Sequence, residues 1–182
     1  MPLIDIVVEE PGWSALPLAE CAETAALLAL EAQGLAPEGF EISLLACDDT
    51  RIAELNTEFR GKPAATNVLS WPAFDLAPAT PGERPDLPPA QGFGGPLPLG
   101  DVAIALQTVS AEAESASIPL KSHVTHLILH GCLHLLGFDH QSDADAAVME
   151  GIETAALARI GVPDPYGTRG AAAPQPGGRP DV

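Results

Sequence analysis

Apolar and polar positions follow two periods along this chain, and the switches between them mark its elements. Residues 3–8 form a short apolar, β-branched run of the kind that makes a strand, and Pro11-Gly12 turns the chain behind it. From Pro17 to Gln33 the composition is rich in Ala, Leu and Glu, with Gly34 placed to stop a helix. Residues 41–46 read as a second strand. Asp48 or Asp49 can cap the next helix, whose apolar residues Ile52, Leu55 and Phe59 fall at helical spacing before Gly61. Residues 66–71 are strand-like and closed by Pro72. Between 73 and 99 periodicity gives way to Pro and Gly, which predicts a long, mobile surface insertion. A strand resumes at Gly100 and runs through 105, and a helix follows to about Ser117. Pro119 opens another helix, and Ser142, with Asp145 three residues on, starts a last one that Gly161 and Pro163 end near Ile160. The order predicts a single α+β domain over residues 1–166: a small mixed β-sheet packed with about five helices around a buried helix that bears histidines. Residues 167–182 have no apolar pattern and read as a disordered tail.

The helix opened by Pro119 departs from ordinary core patterning. Val124, Ile128, Leu129, Cys132, Leu133, Leu135 and Leu136 make it apolar over most of its circumference. At roughly 100° per residue, His123, His126 and His134 all lie within about 40° of His130, so four of the five histidines share one face. A His at i and i+4, a glycine at 137 able to take the left-handed conformation, and a third His at 140 together fit the ligand geometry of one metal ion. His126 and His134 are separated by about 12 Å of helix rise and cannot share that ion. The ligand set is therefore His130, His134 and His140. His126 and His123 stand behind the ligands or face the substrate, with core packing as the alternative. Three protein ligands on an ion such as zinc leave a fourth position for water, the arrangement of a catalytic site.

Charge and cysteine content narrow the setting. Eight Lys and Arg against 25 Asp and Glu give a net charge of −17, which disfavours generic attraction to nucleic acid or anionic lipid. A nucleic-acid substrate would have to be held by a few placed cations, the metal or a partner protein. Cys21, Cys47 and Cys132 are scattered through apolar stretches without ligand spacing, as in a reduced, cytosolic protein. No basic leader and no run of 18 apolar residues is present, so the expectation is a soluble cytoplasmic protein with no membrane partner.

A metal with an open position points to hydrolysis. The spacing of His130, His134, Gly137 and His140 equals that of the metzincin peptidase motif HExxHxxGxxH, but Gly131 stands where the peptidase needs its Glu base, so peptide hydrolysis is disfavoured. A phosphodiester is the easier target, because metal and cation neutralise its developing charge directly. The stretch from His126 to His140 resembles the signature of the YbeY family of metal-dependent endoribonucleases that mature bacterial ribosomal RNA. Leu55 to Pro63 leading to Thr66 to Pro72, the Gly100-Asp101-Val102 turn and Asp164-Pro165-Tyr166 are similar to that family as well.

The resemblance implies one zinc ion on His130, His134 and His140, with Arg60 beside it as the catalytic cation that holds the scissile phosphate. Lys62 and Lys121 could add phosphate contacts or simply be solvated. Asp101 and Asp139 could orient ligands or serve turns, and Thr66, Asn67 and Ser70 could line the cleft or pack at a strand edge. The implied substrate is single-stranded ribosomal RNA, with maturation of the 3′ end of 16S rRNA and a part in ribosome quality control. The chain's acidity adds the expectation that small-subunit ribosomal proteins or an assembly GTPase position it. The alternatives are a non-catalytic assembly factor braced by structural zinc, and a metallohydrolase of peptides or amides.

Overall fold

A computed structural model describes residues 2–89 and 94–166. The sheet comprises β1 (Ile4–Val8), β2 (Phe40–Cys47), β3 (Val68–Pro72) and β4 (Leu97–Ala105), and the helices are α1 (Leu18–Ala32), α2 (Asp49–Arg60), α3 (Leu106–Ala116), α4 (Leu120–Leu135) and α5 (Asp143–Arg159). The strand order is β1-β2-β4-β3. β1, β2 and β4 run parallel, with Ile6 opposite Leu44 and Leu44 opposite Val102, while β3 pairs antiparallel to β4. The fold is thus α+β with a mixed sheet, as the sequence pattern predicts.

Alternation along the strands divides the core. Ile42, Leu44, Val68, Val102 and Ile104 face α1, α4 and α5, whereas Leu69, Ala103 and Ala105 face Ile52 and Leu55 of α2. Ala22, Ala25, Ala26 and Ala29 put small side chains on the buried face of α1, beside Leu18, Leu28 and Leu30, so it packs close against α4. Every residue of α4 from His123 to Leu135 is buried. Gly131 sits where α4 crosses the sheet, and a Cβ there would come within 2.9 Å of Val102 Cγ1.

Local chemistry ends the elements where the residues indicate. Asp48 caps α2 by accepting from Arg51 N at 2.8 Å, which frees Asp49 to bond Thr108 of α3 through its amide and hydroxyl. Gly61 closes α2 at φ 68. Ser142 caps α5, but Asp145 is too short to complete a capping box and accepts from Gly82 N instead.

Two expectations need correction. β4 begins at Leu97, ahead of Gly100, because Leu99 bulges out of the register with β2 and hides the period of two. Gly100 then takes φ 136 hard against the Trp71 carbonyl oxygen, where a Cβ would collide. The Pro/Gly-rich stretch is not loose along residues 73–89. Leu76 is buried, Gln33 donates to the Pro85 carbonyl, and Arg84 donates to the Ala32 carbonyl and the Gln33 side chain, so the stretch straps the end of α1 to the start of α5. Its residues 90–93, and the tail from 167 to 182, lie outside the described residues.

Candidate metal centre

The last turn of α4 builds the site. Gly137, at φ 98, lets its own amide bond the His134 carbonyl and the Phe138 amide bond the Leu133 carbonyl, the paired bonds of a Schellman motif. That turn aims the Phe138 carbonyl back at the helix, where it accepts from His134 Nδ1 at 2.9 Å. It also sends the chain round to His140, whose amide is held by Asp139 Oδ1 at 2.7 Å. One ligand atom each from His130, His134 and His140 lies within 4.8 Å of the others.

The protons on the rings decide what this cluster can hold. His130 Nδ1–H donates to Glu153 Oε1 at 2.8 Å and His134 Nδ1–H to Phe138, so both Nε2 atoms present lone pairs, 2.9 Å apart. Two lone pairs at that distance repel unless a cation lies between them. A tetrahedral ion with Zn–N bonds of 2.0–2.1 Å needs nitrogen pairs about 3.3 Å apart, so small ring rotations suffice. Burial lowers the pKa of His130, partly offset by Glu153, and burial with the neighbouring His130 and His140 lowers that of His134 well below the usual imidazole range. Neutral imidazoles are the form that binds metal. The donor set fits a divalent cation, and three ligands leave room for a water or substrate oxygen.

Glu153, wholly buried on α5, is the residue that the sequence pattern did not single out. Its Oε1 accepts from His126 Nε2 at 2.9 Å as well as from His130, and the Tyr166 hydroxyl lies 3.0 Å from each of its oxygens. Burial alone would raise its pKa, but electrostatic attraction and hydrogen bonds from the N–H groups of His130 and His126 outweigh this and lower it. The signal was present: the buried stripe of α5 is Ala146, Met149, Glu153, Ala156 and Leu157, and a carboxylate in such a stripe needs a partner. A second group of three possible ligands, His126, His130 and Glu153, shares His130 with the first, and its contacts are hydrogen bonds of ordinary length.

Other expected residues scatter. His123 Nε2 meets Glu112 at 2.9 Å, and Glu112 also receives the Asn67 amide, a part-buried cluster joining α3, α4 and the start of β3. Arg60 lies at the end of α2, donates to the Ser70 carbonyl at 2.6 Å and stands 5.7 Å from the Trp71 ring centroid. The Ser70 side chain is buried, and Thr66 is half-buried before β3. Asp101 is exposed and lines a cavity of about 530 Å³ with Phe59 and Trp71 on the α2 face, so the sheet separates it from the imidazoles. Asp139 serves the turn. Lys121 pairs with Glu20 on the surface, and Lys62 is exposed beyond α2. The Cys132 thiol, pushed up to about 12 by burial, is inert core.

The chain matches the family described as "Endoribonuclease YbeY" over residues 13–161. It is 55% identical over 163 residues to the endoribonuclease YbeY of Ruegeria pomeroyi, covering 90% of this chain and 97% of that protein. With the endoribonuclease YbeY of Jannaschia sp. it shares 53% over 163 residues, 90% and 99% of the two chains. The solution structure of TM1509 from Thermotoga maritima superposes with a TM-score of 0.55 over 86% of this chain and 88% of that one, at 19% identity, a likeness of fold.

Proposed function

The chain belongs to the YbeY family of endoribonucleases, and from that membership and the metal centre we propose that it is a metal-dependent endoribonuclease acting on ribosomal RNA. The observation that carries the reading is the convergence of His130, His134 and His140 with the Nδ1 protons of the first two committed to Glu153 and Phe138. When bound, a divalent cation supplies Lewis acidity at a phosphodiester oxygen and lowers the pKa of water. His130, His134 and His140 hold it, and Glu153 and the Phe138 carbonyl keep two of the rings in the binding tautomer. Arg60 pairs with the scissile phosphate from the β3 edge, where it donates to the Ser70 carbonyl.

The finer reading makes zinc the ion, on the preference of imidazole ligands. It makes the 3′ end of 16S rRNA the site of cleavage, in single-stranded RNA, with ribosome quality control as the wider role and the cytoplasm as the setting; the resemblance of the histidine and Arg60 stretches supports this. The net charge of −17 supports positioning by small-subunit ribosomal proteins or an assembly GTPase. Among the described residues no helix is long and apolar enough to cross a membrane. A peptidase reading is disfavoured because position 131 points into Val102 and Val68 of the sheet, leaving no space for a Glu.

The test compares metal content and cleavage of precursor small-subunit RNA in wild type, His134→Ala and Arg60→Glu, with folding matched by circular dichroism. Stoichiometric metal in wild type, with cleavage lost in both folded variants, is the expected result. Unchanged cleavage in both would sink the nuclease reading, and unfolding of His134→Ala would favour a structural ion.

A further inference from the structure

The ring that closes the network behind His130 comes from the far end of the described chain. After α5, Gly161 turns the backbone at φ 79, and Val162 packs back on the core. Asp164 Oδ1 then accepts from the Thr154 hydroxyl at 3.1 Å and from Tyr166 N at 2.8 Å. This turn lays the Tyr166 ring edge-on to His126, with centroids 5.7 Å apart and an interplanar angle of 88°. Its hydroxyl stands 3.0 Å from each Glu153 oxygen and 3.3 Å from His126 Nε2.

Counting protons assigns the contacts. Glu153 Oε1 is already met by the N–H groups of His126 at 2.9 Å and His130 at 2.8 Å. The Tyr166 proton therefore belongs to Oε2, for which Tyr166 is the donor among the described residues. Removing that hydroxyl leaves a buried carboxylate oxygen unpaired and the carboxylate free to rotate away from His130.

We propose that Tyr166 is a positioning residue for the metal centre, coupling the docking of segment 162–166 to metal binding. By holding Oε2 it keeps Oε1 on the Nδ1 proton of His130 and so keeps Nε2 aimed at the ion. Linkage makes the effect reciprocal: whatever the docked segment adds to metal affinity, the metal adds to the docking of the segment. This inference rests on the metal-centre reading but not on the RNA substrate.

The experiment titrates Zn²⁺ into the full-length, chelator-stripped protein against a chromophoric competitor. It compares wild type with Tyr166→Phe, Thr154→Val, Glu153→Gln and His134→Ala. Tyr166→Phe should weaken Zn²⁺ about tenfold, the lower end for an outer partner of a ligand. Thr154→Val, which loosens the turn without touching the cluster, should weaken it less and in the same direction, and carries the test if Tyr166→Phe does not fold. In histidine-labelled NMR spectra, Tyr166→Phe should move or broaden the His130 Nδ1–H signal. In wild type, Zn²⁺ should slow exchange of the Tyr166 amide. Wild-type Zn²⁺ affinity in Tyr166→Phe and Thr154→Val, beside a weakened Glu153→Gln, would overturn the role of Tyr166 alone. Zn²⁺ binding unchanged in His134→Ala would overturn the metal-centre reading beneath it.

Discussion

At the scale of the residue, His130 and His134 behave as neutral bases beside one buried anion, Glu153. His130 and His134 are depressed below the ordinary imidazole value of 6.5, so below about pH 6.5 the unfolded chain takes up protons that the folded chain refuses. Their contribution is fully present above that value and is lost as pH falls through it. In chelator-treated protein the urea midpoint should be level from about pH 7.5 upward and should drop between pH 6.5 and 5. A midpoint that rises on acidification would mean that these rings gain protons on folding. The convergence of His130, His134 and His140 was legible because the i, i+4 and glycine-turn spacing survives any packing detail. For Glu153 the apolar stripe of α5 signalled only the need for a partner; which partner depends on α5 lying across α4, a contact between residues 23 apart.

At the scale of the element, the decisive piece is the C-terminal turn of α4. Gly137 has φ 98, and a Cβ there would lie 2.7 to 2.8 Å from Leu76 backbone and side-chain atoms. Gly137→Ala combines backbone strain with a collision against a strapped segment, so it should cost more than about 2 kcal/mol and weaken metal binding by shifting His140. Urea unfolding and a Zn²⁺ titration read both effects, and a variant as stable and as tight-binding as wild type would refute the close approach of Leu76. That approach also explains why residues 73–89 carry no periodic pattern yet are held. Their partners are single side chains on α1 and α5 and the α4 turn, and a scatter of caps and carbonyl bonds leaves no repeat to read.

At the scale of the whole molecule, charge and function pull against each other. Arg51, Arg60 and Lys62 cluster on or beside α2, but Arg51 is paired with Glu9 and Glu54, which leaves little net attraction for a polyanion. Cleavage of naked precursor RNA should therefore be slow and steeply salt-sensitive. The same RNA within a small-subunit assembly particle should be cut at least ~10-fold faster through raised effective concentration. Equal rates on the two substrates, measured at one salt concentration, would remove the need for a positioning partner.

The sequence by itself determined the element types, the buried helix, its histidine stripe and the turn that brings in His140, because each depends on chain-local geometry: periods of two and 3.6, a glycine with positive φ, and ligands four and ten residues from the first. Only the tertiary structure decided which face of the sheet each residue serves. It put Asp101 and Arg60 with Trp71 on or toward the α2 side, and it joined Glu153 and Tyr166 to His126 and His130. It also began β4 at Leu97 and strapped residues 73–89 to α1 and α5. These are contacts between segments distant in the chain, set by how the layers stack and where a bulge falls, and local pattern carries no record of either.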